Sequence, residues 1–243
     1  MKPVAYLYQG EAPALAPLLA ALSAHGGIVV ASQPGHALRE AMLGLCPLGF
    51  AGAWVEGEEL EARAAGVLAE LEPEVRLARR ADAAACGYAG ARGLFLAPRA
   101  LGRLFEREIF PGSRVLWLGR PRPELAAGLR GVARVDVAAR LPGEGEALLA
   151  ALPEAIRGEL ALRPEAVRAL AARADLLLFA GGELPLEVLL PYHTVLALAP
   201  LPKAALQAVE RVIEPERFRA ERLSLFVEEA LGLELPPQAF YEL

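Results

Sequence analysis

Short apolar segments that alternate with helical ones constrain the fold of this chain most. Residues 113–119 (SRVLWLG) contain a continuous apolar run of the kind found in a strand buried within a parallel sheet. A short helical segment, 123–131, and a second strand-like segment, 132–138, follow it. This strand–helix–strand unit predicts an α/β fold with mainly parallel sheets.

The same alternation extends over the rest of the chain. Strand-like segments also lie at 4–8, 27–31, 53–55, 175–180 and 194–199, with a turn and a short strand between 87 and 95. Helices are predicted at 13–25, 36–45, 57–81, 98–107, 144–152, 164–174, 203–212 and 217–231. We see no internal repeat, which argues against a repeat architecture.

Charge and hydropathy argue against several classes of protein. A chain of 243 residues, 55% of them hydrophobic, can bury one large core or two ordinary ones. The net charge of −5 disfavours a nucleic-acid surface, which needs clustered Lys and Arg in excess. The longest apolar stretch, 184–206, carries charges and four prolines, so we expect no membrane partner. The first residues lack the apolar run of a secretion signal, and we expect a cytoplasmic protein.

The two cysteines, Cys46 and Cys86, stand apart in the sequence. Neither belongs to a CxxC pair or has a histidine at ligand spacing. We therefore predict neither a disulfide framework nor a zinc site, and a reducing compartment is consistent with both expectations.

The polar residue types that most often perform catalysis are scarce. The chain has no asparagine, one threonine, two lysines (Lys2 and Lys203) and three aspartates. Few positions can therefore supply a general base, a nucleophile or a substrate clamp. A thermophile's composition, in which thermolabile residues are thinned out, accounts for part of this pattern, and we expect a thermophilic source.

Four segments occur in an order that points to one family. Residues 14–17 (ALAP) follow the first strand, 49–55 (GFAGAWV) include the third, 94–98 (LFLAP) open a helix, and 115–119 begin the second half. The chain in this respect resembles the shikimate dehydrogenases. In that family the segments correspond to an SxSP substrate segment, a GFxGxNVT strand, an NTDxxG turn and the start of the cofactor domain.

The resemblance implies two domains and a substrate site that lacks its chemistry. The implied domains are 1–108 with 217–243, a substrate-type α/β domain to which the last helix returns, and 109–216, a Rossmann-like doubly wound sheet. The family's two serines correspond to Ala14 and Ala16. Its catalytic lysine corresponds to Leu60, and its partner aspartate to Leu96. The implied lining of the substrate site consists of Trp54, Glu56, Glu58, Leu60 and Leu96.

The implied cofactor turn is also altered. A dinucleotide site requires glycines that let the backbone approach a pyrophosphate, but here the turn reads Gly119-Arg120-Pro121-Arg122-Pro123. Two prolines remove backbone donors. Gly119, Arg120, Arg122 and Arg140 are the candidate cofactor residues, because arginines bind phosphate through their charge. We expect no cofactor, with NADP as the alternative.

The resulting hypothesis is a shikimate-dehydrogenase-like protein without that activity, which persists as a ligand-binding, regulatory or partner-binding protein. One alternative is an active NADP-dependent oxidoreductase with a relocated site that uses Glu56, Tyr88 or His193. Another is an unrelated two-domain protein of the uroporphyrinogen-III-synthase type. We predict no metal site and assign no catalytic residue. The natural small-molecule or protein partner is left open.

Overall fold

The computed structural model describes residues 1–241. The chain forms two compact units: Met1–Ala97 with the chain from Arg219 onward, and Pro98–Phe218. Each unit contains one six-stranded sheet with helices, which confirms the predicted α/β class. The described residues include no helix long and apolar enough to cross a membrane.

The sheet of the first unit is mixed. Its strand order is β2-β1-β3-β5-β6-β4, in which β5 runs antiparallel to both of its neighbours. The strands are β1 (Val4–Tyr8), β2 (Val29–Ser32), β3 (Gly52–Glu56), β4 (Glu70–Leu71), β5 (Ala83–Gly87) and β6 (Gly90–Leu94). The helices α1 (Leu15–Ser23), α2 (Leu38–Gly44), α3 (Glu58–Val67) and α4 (Pro73–Ala78) connect them.

Two long helices carry the chain from one unit to the other. They are α5 (Ala97–Glu108) and α9 (Pro215–Leu231). The C-terminal part of α9 packs on the sheet of the first unit, where the rings of Phe226 and Trp54 are 5.7 Å apart. The close approach needs Gly52, because a Cβ atom there would lie 3.1 Å from Ala230 and 2.2 Å from the Ala84 carbonyl oxygen.

The single long helix predicted over 57–81 is wrong. Helix α3 ends when Leu68 adopts an extended backbone, and the two-residue strand β4 follows. Pro73 then starts α4 at its first position. A proline in the interior of one continuous helix would clash with the preceding turn and leave a carbonyl without its partner, so the chain breaks there.

The sheet of the second unit is entirely parallel, with the order β12-β11-β10-β7-β8-β9. Its strands are β7 (Arg114–Leu118), β8 (Arg134–Ala138), β9 (Arg157–Ala161), β10 (Leu176–Phe179), β11 (Thr194–Ala197) and β12 (Arg211–Ile213). The helices α6 (Pro142–Ala151), α7 (Pro164–Ala171) and α8 (Lys203–Ala208) lie between strands. Numbered within the unit, this order is 3-2-1-4-5-6, the doubly wound arrangement of dinucleotide-binding domains.

A disulfide contradicts the expectation that the cysteines stay apart. Cys46, just after α2, is bonded to Cys86 in β5, and their Cα atoms are 5.4 Å apart. A sequence separation of 40 residues gives no motif that could have signalled the pair, because only the folded first unit brings the two positions together.

Candidate functional site

The neighbouring strands β1 and β3 hold a hydrogen-bonded group of large side chains. Tyr6 and Trp54 are register neighbours on the two parallel strands and both are fully buried. The Tyr6 hydroxyl donates to Glu56 at 2.6 Å, and Trp54 Nε1 donates to the same carboxylate oxygen at 3.0 Å. Burial, followed by the neighbouring Glu56 carboxylate, raises the pKa of Tyr6, so its hydroxyl stays protonated.

Ala14 also reaches this group. It is buried at the start of α1, and its backbone forms a hydrogen bond with Tyr6 that lowers the pKa of the phenol, against the larger effect of burial. Ala16 is exposed instead. Of the two alanines, Ala14 is therefore the one that contacts Tyr6, and its methyl group offers neither a donor nor an acceptor.

A buried ion pair links Asp82, the residue before β5, to α9. Arg222 Nη2 lies 3.2 Å from Asp82 Oδ2, and the Arg222 guanidinium lies 4.7 Å from the centroid of the Trp54 ring. Asp82 also accepts hydrogen bonds from the backbone N–H groups of Leu96 (2.7 Å) and Ala97 (3.0 Å). Asp82 is thus fully engaged at the start of α5, where a carboxylate also interacts favourably with the helix dipole.

The environment of Asp82 changes its titration. Burial raises the pKa of the Asp82 carboxyl to about 6, and the Glu61 carboxylate adds to this, whereas Arg222 and the two backbone hydrogen bonds lower it. The free-energy cost of burying the ionised Asp82 carboxylate therefore exceeds the stabilisation that its partners provide.

The start of α3 carries further paired charges. Arg80 contacts Glu61 through Nη2 at 2.5 Å and Nε at 2.9 Å, and it reaches Glu58 at 3.3 Å. Glu61 in turn lies 3.8 Å from Arg222. Glu61 is almost completely buried, whereas Glu58 is half exposed. These side chains form one network with Asp82.

Leu60, Leu94 and Leu96 are buried within the same unit. Each is at most 1% exposed. Leu60 lies in the first turn of α3 and Leu96 directly precedes α5. None of the three side chains can exchange a proton or accept a hydrogen bond.

In the second unit, two loops cross where the strand order reverses between β7 and β10. Gly119 adopts φ +86°, and a Cβ atom there would lie 2.0 Å from the Gly181 carbonyl oxygen. The Arg120 N–H donates to that same oxygen at 3.2 Å. The predicted helix over 123–131 is a six-residue 3-10 helix, Pro123–Gly128, so no α-helix begins at this turn.

A cavity of about 340 Å³ lies over this crossing. Gly119, Arg120 and Arg140 line it, but Arg122 does not; it pairs with Glu124 at 2.9 Å. Arg140 forms an ion pair with Glu183 at the cavity, and both side chains are largely exposed. The size suits a small ligand.

His193 takes no part in either group. Its Nδ1 atom accepts a hydrogen bond from the Leu190 N–H at 3.0 Å, and its Nε2 lies 2.9 Å from the Ala171 carbonyl oxygen. Burial lowers the pKa of His193, so the ring is neutral and donates through Nε2. The histidine joins the end of α7 to the loop that precedes β11. Among residues 1–241 no group of three or more His, Cys, Asp or Glu side chains could hold a metal ion.

Several solved structures share this architecture over nearly their whole length. Quinate dehydrogenase from Corynebacterium glutamicum in complex with NAD is 17% identical, with a TM-score of 0.79 over 98% of this chain and 96% of that one. Shikimate 5-dehydrogenase from Thermus thermophilus in complex with NADP(H) and shikimate is 19% identical, with a TM-score of 0.77 over 99% and 97%. The ligand-free 5-ketofructose reductase from a Gluconobacter strain is 16% identical, with a TM-score of 0.80 over 98% and 96%.

The chain has the shikimate dehydrogenase fold. No family model and no curated protein matches its sequence, so the similarity rests on structure. The resemblance inferred from the four segments is confirmed as a resemblance of fold. An unrelated protein of the uroporphyrinogen-III-synthase type has no support.

The five predicted substrate-site residues fall into three groups. Glu56 and Trp54 form hydrogen bonds around Tyr6, Glu58 is half exposed and pairs with Arg80, and Leu60 and Leu96 are buried leucines. Their roles stay predictions. Sequence reasoning missed Tyr6, Asp82 and Arg222; for Asp82, the one available signal is its rarity, since the chain has only three aspartates.

Proposed function

We propose that this protein does not catalyse the shikimate dehydrogenase reaction and serves instead as a ligand-binding, regulatory or partner-binding protein on that fold. The observation that carries the proposal is the burial of Leu60 and Leu96 at the positions assigned to the proton-transferring lysine and aspartate. Oxidation of an alcohol by hydride transfer also removes the hydroxyl proton, and a leucine cannot accept it.

The charged side chains around these leucines support the proposal, because they form ion pairs and hydrogen bonds within the unit. Asp82 is bound by Arg222 and by two backbone N–H groups, and Glu61 is bound by Arg80. A group so engaged would have to lose several charge-assisted hydrogen bonds before it could move a proton.

The pair of Tyr6 and Glu56 is the place where a relocated oxidoreductase site would have to act. Its 2.6 Å hydrogen bond joins β1 and β3, where Ala14 contacts Tyr6. The raised pKa of Tyr6 favours the protonated phenol, which is unsuited to the role of a base. Glu56 is therefore the residue to replace when residual activity is sought.

The fold also bears on the cofactor. Solved neighbours hold NAD or NADP(H), so the expectation that nothing binds has no support from them. We propose that the second unit is the ligand-binding half, with Gly119, Arg120 and Arg140 lining its cavity.

Steady-state turnover tests the proposal. Purified protein is mixed with shikimate or quinate and with NADP⁺ or NAD⁺, and formation of the reduced cofactor is followed by absorbance. We expect no substrate-dependent rate above the enzyme-free blank. A saturable rate that falls in Glu56→Gln would establish the relocated site instead.

A further inference from the structure

The disulfide of the first unit borders a cavity. This cavity has a volume of about 330 Å³ and is formed around the turn that joins β5 to β6. Of the two bonded cysteines, Cys86 is the one that lines it. Residues 87–89 of the turn also line the cavity and are exposed, so a small molecule can reach Cys86 from solvent on this side. A disulfide that a thiolate can reach is open to exchange, whereas a buried one is inert.

The cavity is separate from the group of side chains around Tyr6. Strand β5 runs antiparallel to β3, with Ala83 opposite Trp54 and Ala85 opposite Gly52. Cys86 therefore lies at the end of the sheet where β3 begins, whereas Glu56 is the last residue of β3. A reaction at the disulfide needs none of the residues that the resemblance assigns to the substrate site.

The lining of this cavity carries more negative than positive charge. Glu70 of β4 and Glu229 of α9 line it together with Arg92 of β6. Arg92 Nη2 lies 3.1 Å from the Glu229 carboxylate, and its Nη1 lies 3.0 Å from Glu72. Two carboxylates thus share this guanidinium, and Glu70 adds a further negative charge. A field of this sign raises the local concentration of cations and lowers that of anions.

We propose that the Cys46–Cys86 disulfide is a thiol–disulfide exchange site, attacked at Cys86 through this cavity by a small thiol that carries a positive charge. The thiolate forms a new S–S bond with Cys86 Sγ, and the electron pair of the broken bond leaves on Cys46 Sγ, which takes a proton from water. A second thiolate then attacks the small-molecule sulfur of this mixed disulfide and releases the Cys86 thiolate, which is protonated in turn. Two thiols are oxidised to one small disulfide while the protein disulfide is reduced.

Peptide mapping of the oxidised full-length protein locates the attacked sulfur. The folded protein is mixed with cysteamine, the reaction is stopped with acid at successive times, and the protein is digested with pepsin at the same low pH and analysed by mass spectrometry. We expect the first mixed disulfide to form on Cys86, in at least about fivefold excess over Cys46. Equal amounts on the two cysteines, or an excess on Cys46, overturn the proposal.

The kinetics of the same reaction show whether the folded protein reacts. We expect the rate of mixed-disulfide formation to rise in proportion to the cysteamine concentration, because the thiolate reaches Cys86 without unfolding. A rate that is independent of cysteamine concentration and rises steeply with denaturant would show that attack waits for unfolding, and would overturn the proposal. Two free thiols in the untreated protein would overturn it as well.

Glu70→Gln tests the preference for a positive charge. Rates are measured with cysteamine, 2-mercaptoethanol and 3-mercaptopropionate, and the ratio of variant to native rate for each thiol cancels its own nucleophilicity. At low salt we expect the variant to slow cysteamine by about twofold or more, to accelerate 3-mercaptopropionate by a similar factor, and to leave 2-mercaptoethanol unchanged. Glu11→Gln, which removes an exposed carboxylate outside the cavity, is the matched control and should change none of the three rates. If Glu70→Gln affects all three thiols equally, or none, the charge preference is overturned.

Discussion

At the scale of single residues, the buried carboxylate of Asp82 organises the charges of the first unit. It joins the start of α5 to Arg222 on α9, and Arg222 in turn stacks on Trp54. The charges lie far apart in the sequence and meet only in the fold. Removing one partner of a buried ion pair destabilises a protein strongly, because the remaining charge stays buried without a counter-ion.

Arg222→Met removes the cation that faces Asp82. We expect a loss of about 3–5 kcal/mol in the free energy of unfolding at pH 8, because a buried carboxylate loses its counter-ion. The loss should be smaller at pH 5, where Asp82 takes up a proton. Denaturant titration measures it. Arg168→Met, which breaks the exposed 4.0 Å contact with Glu187, is the control and should cost less than about 0.5 kcal/mol. Equal losses in the two variants would show that the Asp82 pair is energetically unimportant.

Asp82 should also make stability depend on pH in an unusual direction. Its folded-state pKa of about 6 lies above the unfolded value of about 4, so between these values the folded protein binds more protons than the unfolded chain. The contribution of Asp82 to the free energy of unfolding therefore falls as pH rises from about 4 to about 6. Other carboxylates act in the opposite sense, and the comparison with Asp82→Asn isolates this contribution.

The measurement is the difference in the free energy of unfolding between the native sequence and Asp82→Asn, followed from pH 4 to pH 8 by denaturant titration. We expect the difference to shift against the native sequence as pH rises, and then to level off above the folded pKa. A shift in favour of the native sequence would mean that Arg222 outweighs burial at this site.

At the scale of elements, the crossing of the β7 and β10 loops depends on a glycine. Gly119→Ala forces a methyl group to within 2.0 Å of the Gly181 carbonyl oxygen, so the loops must separate. Gly112→Ala is a matched control, because Gly112 has a nearly identical φ of +83° and open space around it. The control should cost about 1–2 kcal/mol from its backbone conformation alone. Thermal unfolding should show a clearly larger loss for Gly119→Ala; equal losses would refute the close crossing.

The disulfide ties the end of α2 to β5. Cys46 and Cys86 are 40 positions apart in the sequence, so the disulfide closes a long loop in the unfolded chain. Replacing both cysteines by alanine removes this constraint, and we expect a loss of about 2–4 kcal/mol in the free energy of unfolding. The same loss should follow when the native protein is reduced. If mass spectrometry of the unreduced protein finds two free thiols, the bond does not form.

Sequence reasoning located most elements, and its errors have physical causes. The apolar strands β7 and β10 were predicted because strands buried on both faces are nearly all apolar. Strand β9 (RGELA) was missed because it lies at the sheet edge and is half polar, and β12 because it has three residues. The site was harder: Leu60 and Leu96 follow from the resemblance, but Asp82 and Arg222 are 140 residues apart and only the fold pairs them.

At the scale of the whole molecule, the two units differ in what they retain. The first unit has a mixed six-stranded sheet, has leucines at the positions that the resemblance assigns to proton transfer, and pairs its buried charges with one another. The second unit keeps the 3-2-1-4-5-6 sheet and a cavity at its strand ends, while the turn after β7 is closed. The proposed function, ligand binding without dehydrogenase chemistry, accounts for both.

Isotope transfer tests the central claim most directly, because it detects hydride transfer far below the rate of an ordinary enzyme, whose kcat is on the order of 1 s⁻¹ or more. Shikimate carrying deuterium at the carbon that would be oxidised is incubated for hours with NADP⁺ and the protein, and the reduced cofactor is analysed by mass spectrometry. The account predicts no deuterium in the reduced cofactor above the protein-free control. Deuterium that appears with the native sequence and is lost in Glu56→Gln would contradict it.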